Sequence, residues 1–249
     1  MTVEQRSDII TLPSEGKYYK NKASKVKLFY LDGADEGIIT SPNLIKSGDM
    51  VDYLLKRKVV PIDGEAFVDP DSMLLGDRLA LIVMLRATLD PIYRIKVPYM
   101  DGNTQSFFTH EVNLQELRTR DITLDLPYDS DKGEFSYQLP VSKLNIKFRL
   151  MTGLDEKRIR KESNPDSLTD EFKFLRLSKL VTEVDGERDE NIIKQSLSRI
   201  PLRDFRKLNQ TVTEVMPSLD LAITARPPRG GVPIYTFLKL DREFWFPTT

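Results

Sequence analysis

Apolar and polar positions alternate with a period of two through GEFSYQLPVSKLNIKFRLMTGLDE, residues 133–156. Phe135, Tyr137 and Leu139 form one apolar row, and Leu144, Ile146, Phe148 and Leu150 form a second. That period predicts two strands with one face each toward a core. Pro140 separates them, because proline cannot donate to a ladder and biases the residue before it toward extended backbone. Thr152-Gly153 ends the second run, and Asp155-Glu156 stand where carboxylates favour a helix N-terminus. This stretch divides the chain into two units, residues 1–153 and 154–249.

In the first unit, residues 9–19 read as an extended piece with a Pro-Ser-Glu-Gly turn, and residues 25–30 as a strand. Ser41-Pro42 is a cap with proline at the first helical position. Met50, Val51, Leu54 and Leu55 then recur at helical spacing, and Lys56-Arg57-Lys58 suit the helix C-terminus. Asp69-Pro70 repeats the cap signal before a helix over residues 73–89. That helix is apolar nearly all round, which makes it the expected buried centre. Residues 93–99 and 104–112 pair across Asp101-Gly102-Asn103, a hairpin signal, and residues 114–117 suit one helical turn.

In the second unit, residues 154–161 form a charged helix ended by Asn164-Pro165-Asp166-Ser167. Residues 172–180 fit helix or strand, with helix favoured, and residues 180–184 enter the Asp185-Gly186 turn as a strand. Pro201 starts a helix marked by Leu202, Phe205, Leu208 and Val212. Leu219, Leu221 and Ile223 alternate as a strand, turned by Pro227-Pro228-Arg229-Gly230-Gly231 and returned by residues 234–240. Each half thus has an apolar helix followed by a glycine-turned hairpin, a coarse internal repeat. The expected fold class is α+β: two units, each combining short antiparallel strands and hairpins with a few helices.

Composition narrows the function classes. The 37 basic and 38 acidic side chains nearly cancel, which argues against a general nucleic-acid or membrane-surface binder. With no cysteine there can be no disulfide, thiolate zinc site, iron–sulfur cluster or cysteine nucleophile. One histidine, His110, removes any multi-histidine metal site. The N-terminus has no signal-type apolar core, and the most apolar run, residues 79–85, is far short of the roughly 20 residues a membrane helix needs. No metal, cofactor, catalytic residue or membrane association is expected.

The candidate chemistry is sparse. His110 shares a strand face with Phe108 and is read as a sheet histidine, since sites need several convergent groups. Asp129-Ser-Asp131-Lys-Gly133 lacks the ligand run and closing glutamate of a calcium loop and is read as a turn. Arg226-Pro-Pro-Arg229-Gly-Gly is a candidate phosphate grip, though a rigid hairpin turn explains it as well. Phe244-Trp245-Phe246 is a candidate partner-binding patch. Three aromatics cannot stay in water cheaply, so they either cap their own core or dock into a neighbour. An extended tail would put Phe244 and Phe246 on one side and Trp245 on the other.

Six segments add a family resemblance. LPSEGKYY, DRLALIVMLRATL, YQLPVSKLNIKFRLMTGLDE, VTEVDGERD, IPLRDFRKLNQTV and FWFP, in that order, resemble the T4-like phage baseplate protein family. This family includes baseplate hub assembly proteins of contractile-tailed phages, and the likeness runs from residue 12 to 247. The resemblance implies a non-enzymatic tail protein that builds the central hub through protein–protein contacts. Its partners would be other hub or tail proteins. It would act in the host cytoplasm during assembly and could stay in the baseplate of the particle. The alternative is a nucleic-acid-associated module using the Arg226/Arg229 loop. A third reading is an enzyme with dispersed carboxylates, which would need a cleft that perturbs their pKa values.

Overall fold

The computed structural model describes residues 5–102, 104–162, 169–228, 231–240 and 242–246. Strand β1 (Ser7–Thr11) pairs antiparallel with β2 (Lys25–Phe29), and the loop between them is tightly turned. Gly16 sits there at φ 74°, and a Cβ on it would lie 2.5 Å from the Lys22 carbonyl oxygen, so only glycine fits. Three short helices follow: α1 (Glu36–Ile39), α2 (Pro42–Ser47) and α3 (Met50–Lys58). Ser41 caps α2 by accepting from the Leu44 N–H, as the Ser-Pro signal predicts. Strand β3 (Val59–Val60) completes the sheet β1-β2-β3. The basic end of α3 is more than a complement to the helix dipole. Lys58 is buried, with its ammonium 2.5 Å from Asp35 and 2.9 Å from Asp32.

Helix α4 (Leu75–Ala87) lies at the centre, as its all-round apolar pattern predicts, and Ala80, Leu81, Val83 and Leu85 are buried. Its start differs from the expected Asp69-Pro70 cap. Asp69 accepts from the Asp71 N–H at 2.9 Å and closes a turn of its own, and the helix begins only at Leu75. Three charged residues of α4 are buried as well, and each has partners. Asp77 accepts from the Ser14 N–H (2.8 Å), the Ser14 hydroxyl (2.6 Å) and the Tyr19 hydroxyl (2.6 Å). Arg78 donates to Asp52 of α3 and to the Pro70 carbonyl. Arg86 donates through Nε to the Phe244 carbonyl at 2.7 Å.

The rest of the chain wraps this helix. Strands β4 (Ile92–Asp101) and β5 (Thr104–Asn113) form a long hairpin, followed by a 3-10 turn at Leu114–Glu116. Strands β6 (Tyr128–Asp129), β7 (Glu134–Gln138) and β8 (Asn145–Phe148) come next, then helices α5 (Gly153–Glu162) and α6 (Thr169–Leu180). Strand β9 (Val181–Val184) joins the four-stranded sheet β6-β7-β8-β9. The alternating stretch therefore forms the hairpin β7–β8, with Phe135 stacked on Phe148 at 5.5 Å between ring centres. The favoured helix over 172–180 is present as part of α6. The turn read at Asn164–Ser167 lies outside the described residues, as does Asn103.

Helix α7 (Glu190–Arg199) was not marked by the sequence pattern, which showed only an acidic cluster at 185–190. Asp189 of that cluster caps it, accepting from the Asn191 and Ile192 N–H groups, and Ile193 and Leu197 bury one turn apart. Helix α8 (Leu202–Glu214) follows Pro201 as predicted. Its buried Asp204 accepts from the Val141 and Ser142 N–H groups at 2.9 and 2.7 Å, fastening the β7–β8 turn. Strands β10 (Ala222–Ala225) and β11 (Ile234–Phe237) pair antiparallel, and helix α9 (Arg242–Trp245) follows. The aromatic end is thus helical, which replaces the extended tail expected from sequence.

The α+β class holds, with four small antiparallel sheets among the described residues. One core cluster joins Leu81, Phe148, Leu208, Val212 and Phe244, so both sides of the 153/154 division contribute to it. Main-chain bonds also cross that division: Leu154 N–H donates to the Asp71 carbonyl, Arg149 N–H to Leu180, Asp185 N–H to Asn145 and Arg120 N–H to Ser218. Gly76 shows how close the halves come, because a Cβ there would meet the Pro217 carbonyl oxygen at 1.6 Å.

Two predictions follow from α4. Gly76→Ala should destabilise the fold by about 2 kcal/mol or more, since main chain must move. Gly33→Ala, with nothing within 4 Å of its Cβ, serves as the reference. Urea melts that leave the two variants equal would contradict the close approach. The second concerns pH. Burial pushes the Asp77 carboxyl above its usual 3.8, outweighing the bonds from Ser14 and Tyr19. Its folded value is raised, so its contribution is full below 3.8 and is lost as pH rises through the folded value. The stability difference between the native protein and Asp77→Asn should therefore shrink as pH rises above 3.8, and a flat difference in denaturant melts would refute the assignment.

Candidate partner-binding groove

The aromatic end packs inward. Along a helix successive side chains turn by about 100°, so Phe244 and Trp245 both reach the core, where an extended chain would have split them. Phe244 and Trp245 are buried and Phe246 is half-buried against the same cluster. The Phe244 ring lies 5.3 Å from Tyr93 and edge-on to Trp245 at 5.8 Å. The Arg86 guanidinium sits over Tyr93 and Phe244, at 5.6 and 5.9 Å, and donates to the Phe244 and Asp90 carbonyls. Of the two ways to shelter these rings weighed from sequence, the structure shows core capping.

The other sequence candidates are dispersed. Arg226 is exposed after β10, while Arg229 lies outside the described residues, so the loop grip has no geometry to describe. His110 is half-buried on the face of β5 shared with Phe108 and Val112. Asp129 accepts from the Asp131 and Lys132 N–H groups and closes its own turn. In the 185–190 cluster, Asp185 accepts from Asn145, and Arg188 bridges Glu134 and Glu183 at 2.9 and 2.7 Å. Among the described residues, no three His, Asp or Glu side chains stand where they could hold a metal ion. No described helix is long and apolar enough to cross a membrane.

Two concave regions gather residues that the motif search passed over. A cleft of about 430 Å³ is lined by Arg78, Arg120, Arg160 and Arg176, with Asp52 and Glu156 among them. Most of these cations are engaged. Arg78 holds Asp52, Arg120 donates to the Thr213 and Met216 carbonyls, and Arg160 donates to the Gly48 carbonyl. The cleft is a seam between α3, α4, α5 and α8 whose arginines are already held by the protein's own groups.

The larger region, about 780 Å³, is a groove between the two hairpins. One wall is β4, from Ile92 to Pro98, and the facing wall is Thr236, Phe237 and Lys239. The base is formed by Arg86 and Tyr93, so the buried aromatic cluster supports its floor. The register fixes what β4 presents. Asp101 pairs with Thr104 across a two-residue loop, and such a closing pair exchanges both main-chain bonds. Pairs alternate along an unbroken ladder, so Tyr99, Val97, Ile95 and Tyr93 also face β5. Arg94, Lys96 and Met100 turn their main-chain groups to the open edge, as does Pro98, which has no N–H to give a ladder. The Leu238 N–H donates to the Leu221 carbonyl, and the same alternation turns Tyr235 and Phe237 outward from β11.

No main-chain bond from another described residue reaches Arg94, Lys96 or Phe237 at these edges. The sequence carried a signal for this: Arg94, Lys96 and Pro98 fall on one face of a strand, and proline marks an edge.

Arg86 makes the floor testable. Arg86→Lys keeps the charge but removes the Nε–H donor, leaving the Phe244 carbonyl without that bond at a cost of about 1–3 kcal/mol. Trp245 is the sole tryptophan, so loosening of α9 should shift its emission to the red along with a lower melting temperature. Unchanged emission and melting would show that the bond does not hold α9.

No family model matches the chain, and no curated protein or solved structure matches it either.

Proposed function

We propose that this chain is a non-enzymatic tail protein of a contractile-tailed phage, acting in assembly of the baseplate central hub through protein–protein contacts. The family reading comes from the six ordered segments that resemble T4-like baseplate proteins. The structural observation that supports a contact role is where large apolar side chains remain in water. Phe107 is 64% exposed, Met100 63%, Val232 83%, Tyr235 81% and Phe237 69%. All five belong to the two paired hairpins or the approach to β11, and Phe237 lines the groove between them. Isolated exposed apolar residues need no explanation, whereas a group of them on two-stranded sheets favours a binding surface.

The partners on this reading are other hub or tail proteins, met in the host cytoplasm during assembly. The balance of 37 basic and 38 acidic residues favours protein partners over nucleic acid. The test is a pull-down of the tagged chain from phage-infected cells at low and high salt, with recovered proteins identified by mass spectrometry. Hub or tail proteins should be recovered at both salts. Recovery of nucleic acid that disappears at high salt would favour the alternative, and absence of tail proteins would overturn the hub reading.

A further inference from the structure

We propose that the groove between the hairpins receives an extended segment of another protein, in which acidic and apolar side chains alternate, as an added strand on the open edge of β4. This deepens the contact reading above and rests on it for the partner being a protein. Main-chain pairing requires an unpaired edge of sufficient length, and residues 92–98 supply about 20 Å at roughly 3.3 Å per residue. The outward main-chain groups of Arg94 and Lys96 supply donors and acceptors. Pro98 supplies only an acceptor, and the Ile92 N–H is already taken by Asp90. Pairing is therefore centred on Arg94–Lys96 and fades toward both ends.

The side chains specify what the added strand must carry. Four basic residues line the groove, Arg86, Arg94, Lys96 and Lys239, against two acidic ones, Asp90 and Glu243. Arg86 is committed to the Phe244 and Asp90 carbonyls. Arg94 meets Glu111 at 3.0 Å with both side chains more than half exposed, a pair easily exchanged for another. Lys96 and Lys239 have no carboxylate partner among the described residues. Directly opposed residues on neighbouring strands share a face. Acids on the incoming strand would therefore stand over Arg94 and Lys96. Its alternate residues would face inward beside Ile95 and Val97, with Phe237 flanking them.

The same charges argue against a second copy as the occupant. Two β4 edges paired antiparallel about Ile95 would set Arg94 of each opposite Lys96 of the other, and like charges directly opposed are destabilising. Pro98 blunts that self-pairing further. A partner strand with acids at those positions meets neither obstacle.

The experiment uses the full chain labelled for amide resonances and an end-capped peptide of about eight residues alternating glutamate and valine. Binding should shift the amides around Arg94 and Lys96 and leave those of β5 facing solvent unmoved. Lys96→Glu, whose side chain and N–H both point away from the fold, should weaken binding by about tenfold or more with unchanged melting. A lysine–valine peptide should not bind, nor should the glutamate–valine peptide methylated on its glutamate amides, the edge that would pair with Arg94 and Lys96. The proposal is overturned if the Arg94 and Lys96 amides stay in place, if Lys96→Glu binds equally, or if sedimentation shows self-association through this edge. The hub reading is separable. Tail proteins recovered undiminished by Lys96→Glu would remove the groove and leave the hub, whereas peptide binding without any tail protein recovered would do the reverse.

Discussion

The fold depends on the polar side chains of a helix that is otherwise apolar. Asp77, Arg78 and Arg86 are buried on α4, and each reaches a segment distant in the sequence. Asp77 holds the β1–β2 loop through Ser14 and Tyr19, and Tyr19 returns by accepting from the Leu74 N–H. Arg78 holds α3 through Asp52 and lies over Gly153 at the start of α5. Arg86 holds the last described helix through Phe244. An apolar surface alone would let these segments slide. A buried charge that loses its partner costs about 3–5 kcal/mol, so each bond selects one arrangement and penalises the rest. Gly76 and Gly153 belong to the same constraint, since the neighbouring chain can approach α4 so closely only where no Cβ intervenes.

Much of this was legible along the chain. The period of two at 133–150 gave β7 and β8, and the helical spacing at 50–55 and 202–212 gave α3 and α8. Asp77, Arg78 and Arg86 were visible as the charged ends of an apolar run. Sequence could not show that they point inward, because burial of a charge depends on partners elsewhere in the chain, 26 positions away for Arg78, 63 for Asp77 and 158 for Arg86. The missed α7 has the same origin. Asp189 stands in sequence among other acids, and only its capping bonds and the buried Ile193–Leu197 pair mark a helix start there. Asp69-Pro70 failed in the opposite direction, since a side chain able to cap a helix also closes a turn. The groove was least legible, because an open edge is a property of pairing and not of any single strand.

The two hairpins of the helix-then-hairpin pattern share one mechanical situation, and the four-stranded sheet is in another. The four-stranded sheet is backed by helices and tied at its turn by Asp204, whereas β4–β5 and β10–β11 are each a single pair. A lone hairpin is marginal in water, so each relies on its base. Tyr93 and Val112 join the β4–β5 hairpin to the core cluster, and Ile223 and Leu238 do the same for the second pair. Beyond those anchors the hairpins carry their apolar residues in solvent. The interior is thus over-determined by buried polar bonds, while the periphery keeps unmet pairing capacity on its edges.

Arg86 connects these two regimes. Its guanidinium fixes α9 through the Phe244 carbonyl and at the same time forms part of the groove floor. A negatively charged group arriving in the groove would act on the same cation that holds the chain's last described helix. The groove floor and the anchor of α9 are therefore the same side chain. The surface that invites a partner thus stands on a bond of the interior.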